Sequence, residues 1–92
     1  MQDDYLYEWD DAKSESNASK HGISFSLAQR IWDDPMFVEV HLESKPEDRW
    51  AVIGRVAKVV YVTAIITYRD ERIRIISARK STRKELDIYD KH

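Results

Sequence analysis

Phe25, Ala28, Ile31 and Trp32 recur at helical spacing, whereas the apolar positions after residue 35 alternate as in a strand. Ahead of the helical stretch, residues 5–9 (YLYEW) predict a short, aromatic-rich strand. Asp10 then suits the N-cap of a helix running to about Lys20. Lys20, His21 and Gly22 read as its C-terminus, with cations in the last turn and glycine just past it. A second helix is predicted from Ser24 or Ser26, where Ser26 and Gln29 fit a capping box. Asp33-Asp34-Pro35 stops it, because the residue before a proline avoids helical angles.

The strands follow. Met36, Val38, Val40 and Leu42 alternate with Phe37, Glu39 and His41, which predicts a half-buried strand. Glu43 to Asp48 is a polar loop, and Arg49 to Arg55 is the next strand. Val59 to Tyr68 is apolar at nearly every position and predicts a central strand covered on both faces. Tyr68 to Glu71 makes a turn, and Arg72 to Ala78 forms the last strand. Thr82 caps a final helix through Asp90, with Glu85 completing a capping box. The order is β-α-α-β-β-β-β-α. Short connections imply an antiparallel sheet packed with helices, an α+β fold, in a single domain over residues 1–92.

Composition removes several classes of function. The chain has 92 residues and no cysteine, which excludes a disulfide scaffold, a thiolate metal site and a cysteine nucleophile. Gly22 and Gly54 are the only glycines, too few for a glycine-rich phosphate loop. No apolar run approaches the roughly 18 residues of a membrane span and no signal peptide is apparent, so a soluble cytoplasmic protein without a membrane partner is expected. The net charge is −2, but it is unevenly spread. Residues 1–48 carry 4 Lys/Arg against 12 Asp/Glu, whereas residues 49–92 carry 11 against 5. A basic half of this kind points to polyanion binding, or to charges that balance the acidic half.

The first helix is unusual. Between Asp10 and Lys20 only Ala12 and Ala18 are apolar, so no broad face is available for burial. Lys13, Asn17 and Lys20 instead fall at i, i+4 and i+7, with His21 adjoining. Two cations, an amide and an imidazole on one face suit a phosphate backbone next to acid–base chemistry. The plainer reading is a solvent-facing helix with a capping histidine. The acidic pairs Asp3-Asp4 and Asp33-Asp34 are not read as a metal site, because neighbouring carboxylates point apart and no histidine is spaced with them. No metal or other cofactor is expected.

Two motifs carry a resemblance. Trp9-Asp10-x-x-Lys13, Asn17-x-x-Lys20-His21-Gly22 and Phe25-x-x-Ala28 resemble the N-terminal signature of the BrnT toxins of bacterial type II toxin–antitoxin modules. Arg74-Ile75-Ile76-Ser77-Ala78-Arg79, followed by Glu85 and Tyr89, resembles the C-terminal signature, and Arg49 and Gly54 also fall in the family pattern. The resemblance spans Glu8 to Tyr89. It implies a RelE-like fold and an endoribonuclease, ribosome-independent or ribosome-linked, that arrests growth. It also implies a cognate ribbon–helix–helix antitoxin (BrnA-like), with operator DNA bound only through the toxin–antitoxin complex. The family tends to be basic overall, whereas this chain is slightly acidic.

With that resemblance, the residues suggest RNA cleavage without a metal, by attack of a ribose 2′-hydroxyl on the adjacent phosphate. Such a reaction needs a proton acceptor, a proton donor and charge stabilisation. His21 is the best candidate for acid or base, Arg79 suits the phosphorane-like charge, Tyr89 can donate a proton or stack on a base, and Glu8 can act as a base. Lys13, Asn17, Lys20, Arg74, Lys80 and Arg83 are the expected RNA-binding residues. Each has a structural alternative: His21 as a cap, Arg79 paired with Glu85, Tyr89 in the core, Glu8 paired with a cation. Trp9 is read as packing, His41 as exposed without a role, and terminal His92 as having none. The competing functional readings are a non-catalytic RNA- or partner-binding corepressor and a domain whose basic patch only meets an acidic antitoxin segment.

Overall fold

β4 (Val60–Arg69) is the middle strand of a five-stranded sheet in the order β1-β5-β4-β3-β2. The computed structural model describes residues 5–92, so the Asp3-Asp4 pair lies outside the described residues. The other strands are β1 (Tyr7–Glu8), β2 (Val38–Glu43), β3 (Arg49–Ala57) and β5 (Arg72–Lys80). The helices are α1 (Asp11–His21), α2 (Phe25–Ala28) and α3 (Arg83–Lys91), and a 3-10 turn spans Gln29–Asp33.

β2 to β5 form the expected antiparallel meander. The sheet as a whole is mixed, however, because β1 joins β5 in parallel, with Tyr7 opposite Ile73 and Glu8 opposite Arg74. The chain's first strand thus meets its last. A pairing between segments so far apart has no local signal in the sequence.

Local chemistry explains the helix ends. The Asp10 carboxylate accepts from the Ala12 and Lys13 N–H groups at 2.9 and 3.2 Å. Gly22 closes α1 with φ of 74°, a left-handed conformation that glycine adopts without steric cost. The second helix starts at Ser24, not Ser26: the Ser24 hydroxyl accepts from Leu27 N–H at 3.1 Å. It makes one α-turn and then tightens into the 3-10 turn before Asp34. Thr82 and Glu85 form the expected reciprocal capping box on α3.

The core lies between this helical layer and one sheet face. Ile23, Phe25, Ala28, Ile31 and Trp32 pack against Val52, Val62, Ala64, Ile66 and Ile75. Gly54 lets the 3-10 turn approach, since a Cβ there would stand 2.7 Å from Ile31 Cγ2. In β4 the opposite face is also covered, but partly by polar contacts: Thr63 bonds Ser81 and Glu85, and Thr67 donates to the Asp48 carbonyl at 2.6 Å.

The alternation expected from Met36 is shifted. Phe37 packs against the core while Met36 and Leu42 are exposed. Phe37 N–H bonds the Asp34 carbonyl, so residues 34–37 form a turn and the strand begins only at Val38. An irregularity between His41 and Glu43 then breaks the alternation at Leu42. Among the described residues, no helix is long and apolar enough to cross a membrane.

Candidate functional site

The polar stripe of α1 faces a cleft. Lys13, Ser16, Asn17, Lys20 and His21, with Ile76 and Ser77 of β5, line an open depression of about 300 Å³. β5 contributes through a bulge: Ile66 pairs with Ile75 and Ile65 with Ser77, which leaves Ile76 without a partner. Lys13, Lys20 and His21 are exposed, and among the described residues their side chains make no hydrogen bond or ion pair. Ser16 and Ser77 also line the cleft; Ser77 lies within the C-terminal signature, whereas nothing in the sequence marks Ser16.

Asn17, expected to bind RNA, has its side-chain amide engaged by the backbone. Its buried amide donates to the carbonyls of Ile23 and Ala78, both at 2.7 Å, and its Oδ1 accepts from Ala78 N–H at 3.3 Å. β1 pairs only as far as Arg74, and Asn17 takes the place of a strand neighbour for Ala78. α1 buries no apolar residue, so this contact and Phe25 N–H on the Ser14 hydroxyl anchor it.

Arg79 is engaged by Glu85. Two guanidinium nitrogens donate to the two carboxylate oxygens, each at 2.7 Å. The bidentate seat expected for phosphate is therefore occupied by a carboxylate. Glu85 also accepts from Thr63 Oγ1 and from Thr82 N–H. The Arg79 bonds hold its acid down at about 2, and they raise the Arg79 pKa in turn. Arg79 remains partly exposed.

Tyr89 and Glu8 are likewise engaged within the fold. The Tyr89 hydroxyl donates to Asp34 Oδ2 at 2.7 Å and its ring packs edge-on against Tyr61. Burial and the Asp34 carboxylate push its pKa up to about 12, so the phenol keeps its proton and fastens α3 to the turn before β2. Burial pushes Asp34 upward, but Arg55 N–H, Met36 N–H and Tyr89 outweigh it and hold the acid below its ordinary value. Glu8 sits among Arg69, Arg72 and Arg74 at 3.9, 3.9 and 3.3 Å, the ion-paired alternative that the sequence also offered. Arg74 is tied there. Lys80 borders a separate cleft with Tyr61 and Leu86, and Arg83 is exposed on α3.

The structure thus brings Lys13, Lys20 and His21 together and leaves Glu8, Arg79 and Tyr89 in three separate polar contacts. Trp9 packs against Phe25, as expected. His41 is exposed but not idle, contacting Asp48 at 3.1 Å and the Trp50 ring. Asp33 is exposed and Asp34 is buried, so that acidic pair diverges. Among the described residues, no group of three or more His, Asp or Glu is placed to hold a metal ion.

Comparison with known proteins gives a family match and a structural likeness. A family model described as a ribonuclease toxin, BrnT, of type II toxin–antitoxin systems matches residues 9–85. The 1.1 Å crystal structure of the Brucella abortus ribonuclease toxin BrnT is similar in fold, with a TM-score of 0.64 at 20% identity. That alignment covers 87% of this chain and 100% of the Brucella chain. No curated protein matches by sequence. The α+β architecture agrees with the RelE-like expectation.

Proposed function

The chain belongs to the BrnT family of ribonuclease toxins of type II toxin–antitoxin systems, and from that premise we propose that it cleaves RNA in the cleft between α1 and β5 without a metal ion. The supporting observation is the meeting of three exposed, unengaged groups, Lys13, Lys20 and His21, around one cleft. The lysines hold phosphates on either side of the scissile bond. The ribose 2′-oxygen forms a bond to phosphorus as the bond from phosphorus to the 5′-oxygen breaks. His21 accepts the 2′-hydroxyl proton or supplies the proton that the 5′-oxygen takes up. The products are a 2′,3′-cyclic phosphate and a 5′-hydroxyl.

Arg79 shares a strand face with Ser77, since their partners Thr63 and Ile65 are also two residues apart. It stands about 7 Å along the strand from the cleft wall. Held in orientation by Glu85, it brings a guanidinium to the cleft's rim, with its charge met by that carboxylate. We assign Asn17, Glu8 and Tyr89 to holding the fold.

The family supplies an antitoxin as partner and RNA as substrate. The sequence resemblance supports a ribbon–helix–helix antitoxin, operator binding through the complex, and growth arrest from RNA cleavage in the cytoplasm. End analysis of RNA treated with the purified protein tests the chemistry: cyclic phosphate and 5′-hydroxyl ends are expected, and 5′-phosphate ends would refute it. The engagement of Glu8, Arg79 and Tyr89 favours a second reading, a non-catalytic binding module, which predicts salt-dependent RNA binding with no new ends.

A further inference from the structure

Five of the eight arginines are spent on carboxylates: Arg49 on Glu43 and Glu47, Arg69, Arg72 and Arg74 on Glu8, and Arg79 on Glu85. Among the described residues, the other three, Arg30, Arg55 and Arg83, make no ion pair and no side-chain hydrogen bond. Two of them line the same cleft. Arg30 comes from the 3-10 turn and Arg55 from the end of β3, and Lys58 from the following hairpin turn joins them. All three are exposed, and the space between them is about 360 Å³. Its lining is distinct from that of the His21 cleft.

Two carboxylates lie in this cleft, and they differ. Asp34 is buried, and its oxygens already accept Met36 N–H, Arg55 N–H and the Tyr89 hydroxyl, at 2.9, 2.8 and 2.7 Å. It fixes the floor and makes no ion pair with the Arg55 guanidinium, although the Arg55 charge helps to hold its acid down. Asp33 is exposed and offsets one of the three cations. With Asp34 ionised as well, three cations face two carboxylates, so the cleft keeps a net positive charge and two planar donor forks without a hydrogen-bonded side-chain partner. Guanidinium forks match phosphate oxygens in geometry as well as charge.

We propose that this cleft is a second phosphate subsite for the RNA backbone, away from the cleaved bond. The inference rests on the ribonuclease reading and adds a binding determinant to it. A chain spanning two positive clefts needs several nucleotides, so short RNA fragments bind and react less well than longer ones. The RNA backbone is the occupant because the substrate of the family is RNA and the two guanidinium forks match its phosphate oxygens.

The test uses a labelled 2′-O-methyl RNA oligonucleotide, which cannot undergo 2′-hydroxyl attack. Its affinity is measured across a salt series for wild type, the double variant Arg30→Gln/Arg55→Gln, and a control, Lys45→Gln, in the β2–β3 loop. Each lost single-strand phosphate contact lowers the slope of log affinity against log salt by about 0.7. The double variant is expected to lose about 1.4 in slope, so the wild-type advantage in affinity shrinks roughly 25-fold between 0.1 and 1 M salt. The control is expected to match wild type. If the double variant does not fold, as judged by its melting curve, Lys58→Gln alone is expected to lose about 0.7. An unchanged slope in the folded variants overturns the inference, whatever they do to antitoxin binding. A parallel assay on unmodified RNA separates the two claims: wild type that neither binds nor cleaves RNA removes the ribonuclease reading itself, and the inference falls with it.

Discussion

The side-chain amide of Asn17 pairs with both backbone groups of Ala78, 61 residues away, much as a neighbouring strand would. This contact ties the helix that carries Lys13, Lys20 and His21 to the edge of β5. Asn17→Ala should therefore destabilise the fold by about 3 kcal/mol, because buried carbonyls and an N–H lose their partners. Lys13→Ala, on the same stripe but exposed, should stay within about 0.5 kcal/mol of wild type. Thermal melts of the two variants check this. Equal stability would mean that Asn17 does not anchor α1.

Glu85 sets the acid limit. Its folded pKa of about 2 lies below its ordinary 4.5, because the Arg79 fork favours the carboxylate. The contribution is complete above pH 4.5 and is lost as the pH falls through 4.5 towards 2. Urea unfolding from pH 7 down to 2 should show this loss, and Glu85→Gln should show a flatter profile over the same window. A variant curve parallel to wild type would deny the pair its role.

Tyr89 acts at the alkaline limit. Its pKa is raised from 10.0 to about 12 by burial and by Asp34, so folding favours the neutral phenol. The stabilisation is present below pH 10 and is lost as the pH rises towards 12. Tyr7, also raised to about 12, adds to the same decline. Tyr89→Phe should lower stability at pH 7 by about 2 kcal/mol, the worth of a hydrogen bond to a charged group. It should also flatten the loss above pH 10. An unchanged alkaline profile would contradict this account.

The β4–β5 turn stores strain. Asp70 and Glu71 have φ of 51° and 67°, in the left-handed region that favours glycine and asparagine. Glu71→Gly should stabilise the protein by about 1 kcal/mol in equilibrium unfolding, since it relieves a backbone cost without removing a contact of the core. Destabilisation would mean that the Glu71 side chain has a role of its own.

Features governed by neighbouring residues were legible in the sequence. The caps at Asp10, Gly22 and Thr82, the buried face of Phe25, Ala28, Ile31 and Trp32, and the meander from β2 to β5 all follow from spacing and turn chemistry. The stripe on α1 was also legible, and three of its four members line an open cleft as exposed groups. What could not be read depends on distant partners. Nothing near Asn17 shows that Ala78 needs a substitute strand. The choice of Arg79 between phosphate and Glu85 depends on where α3 lands. The bulge at Ile76 and the parallel pairing of β1 likewise arise only once the sheet is assembled. The cleft of Arg30 and Arg55 joins residues 25 positions apart and belongs to no sequence motif.

The central claim is that His21 carries out proton transfer in metal-free RNA cleavage. The direct measurement is the single-turnover cleavage rate of a labelled RNA by wild type and by His21→Ala, both in excess chelator, with RNA binding measured alongside. The account predicts that wild type cleaves in chelator, and that His21→Ala is slower by about 100-fold or more while binding falls only slightly. Cleavage by His21→Ala at the wild-type rate, or wild-type cleavage abolished by chelator and restored by a divalent metal, would contradict it.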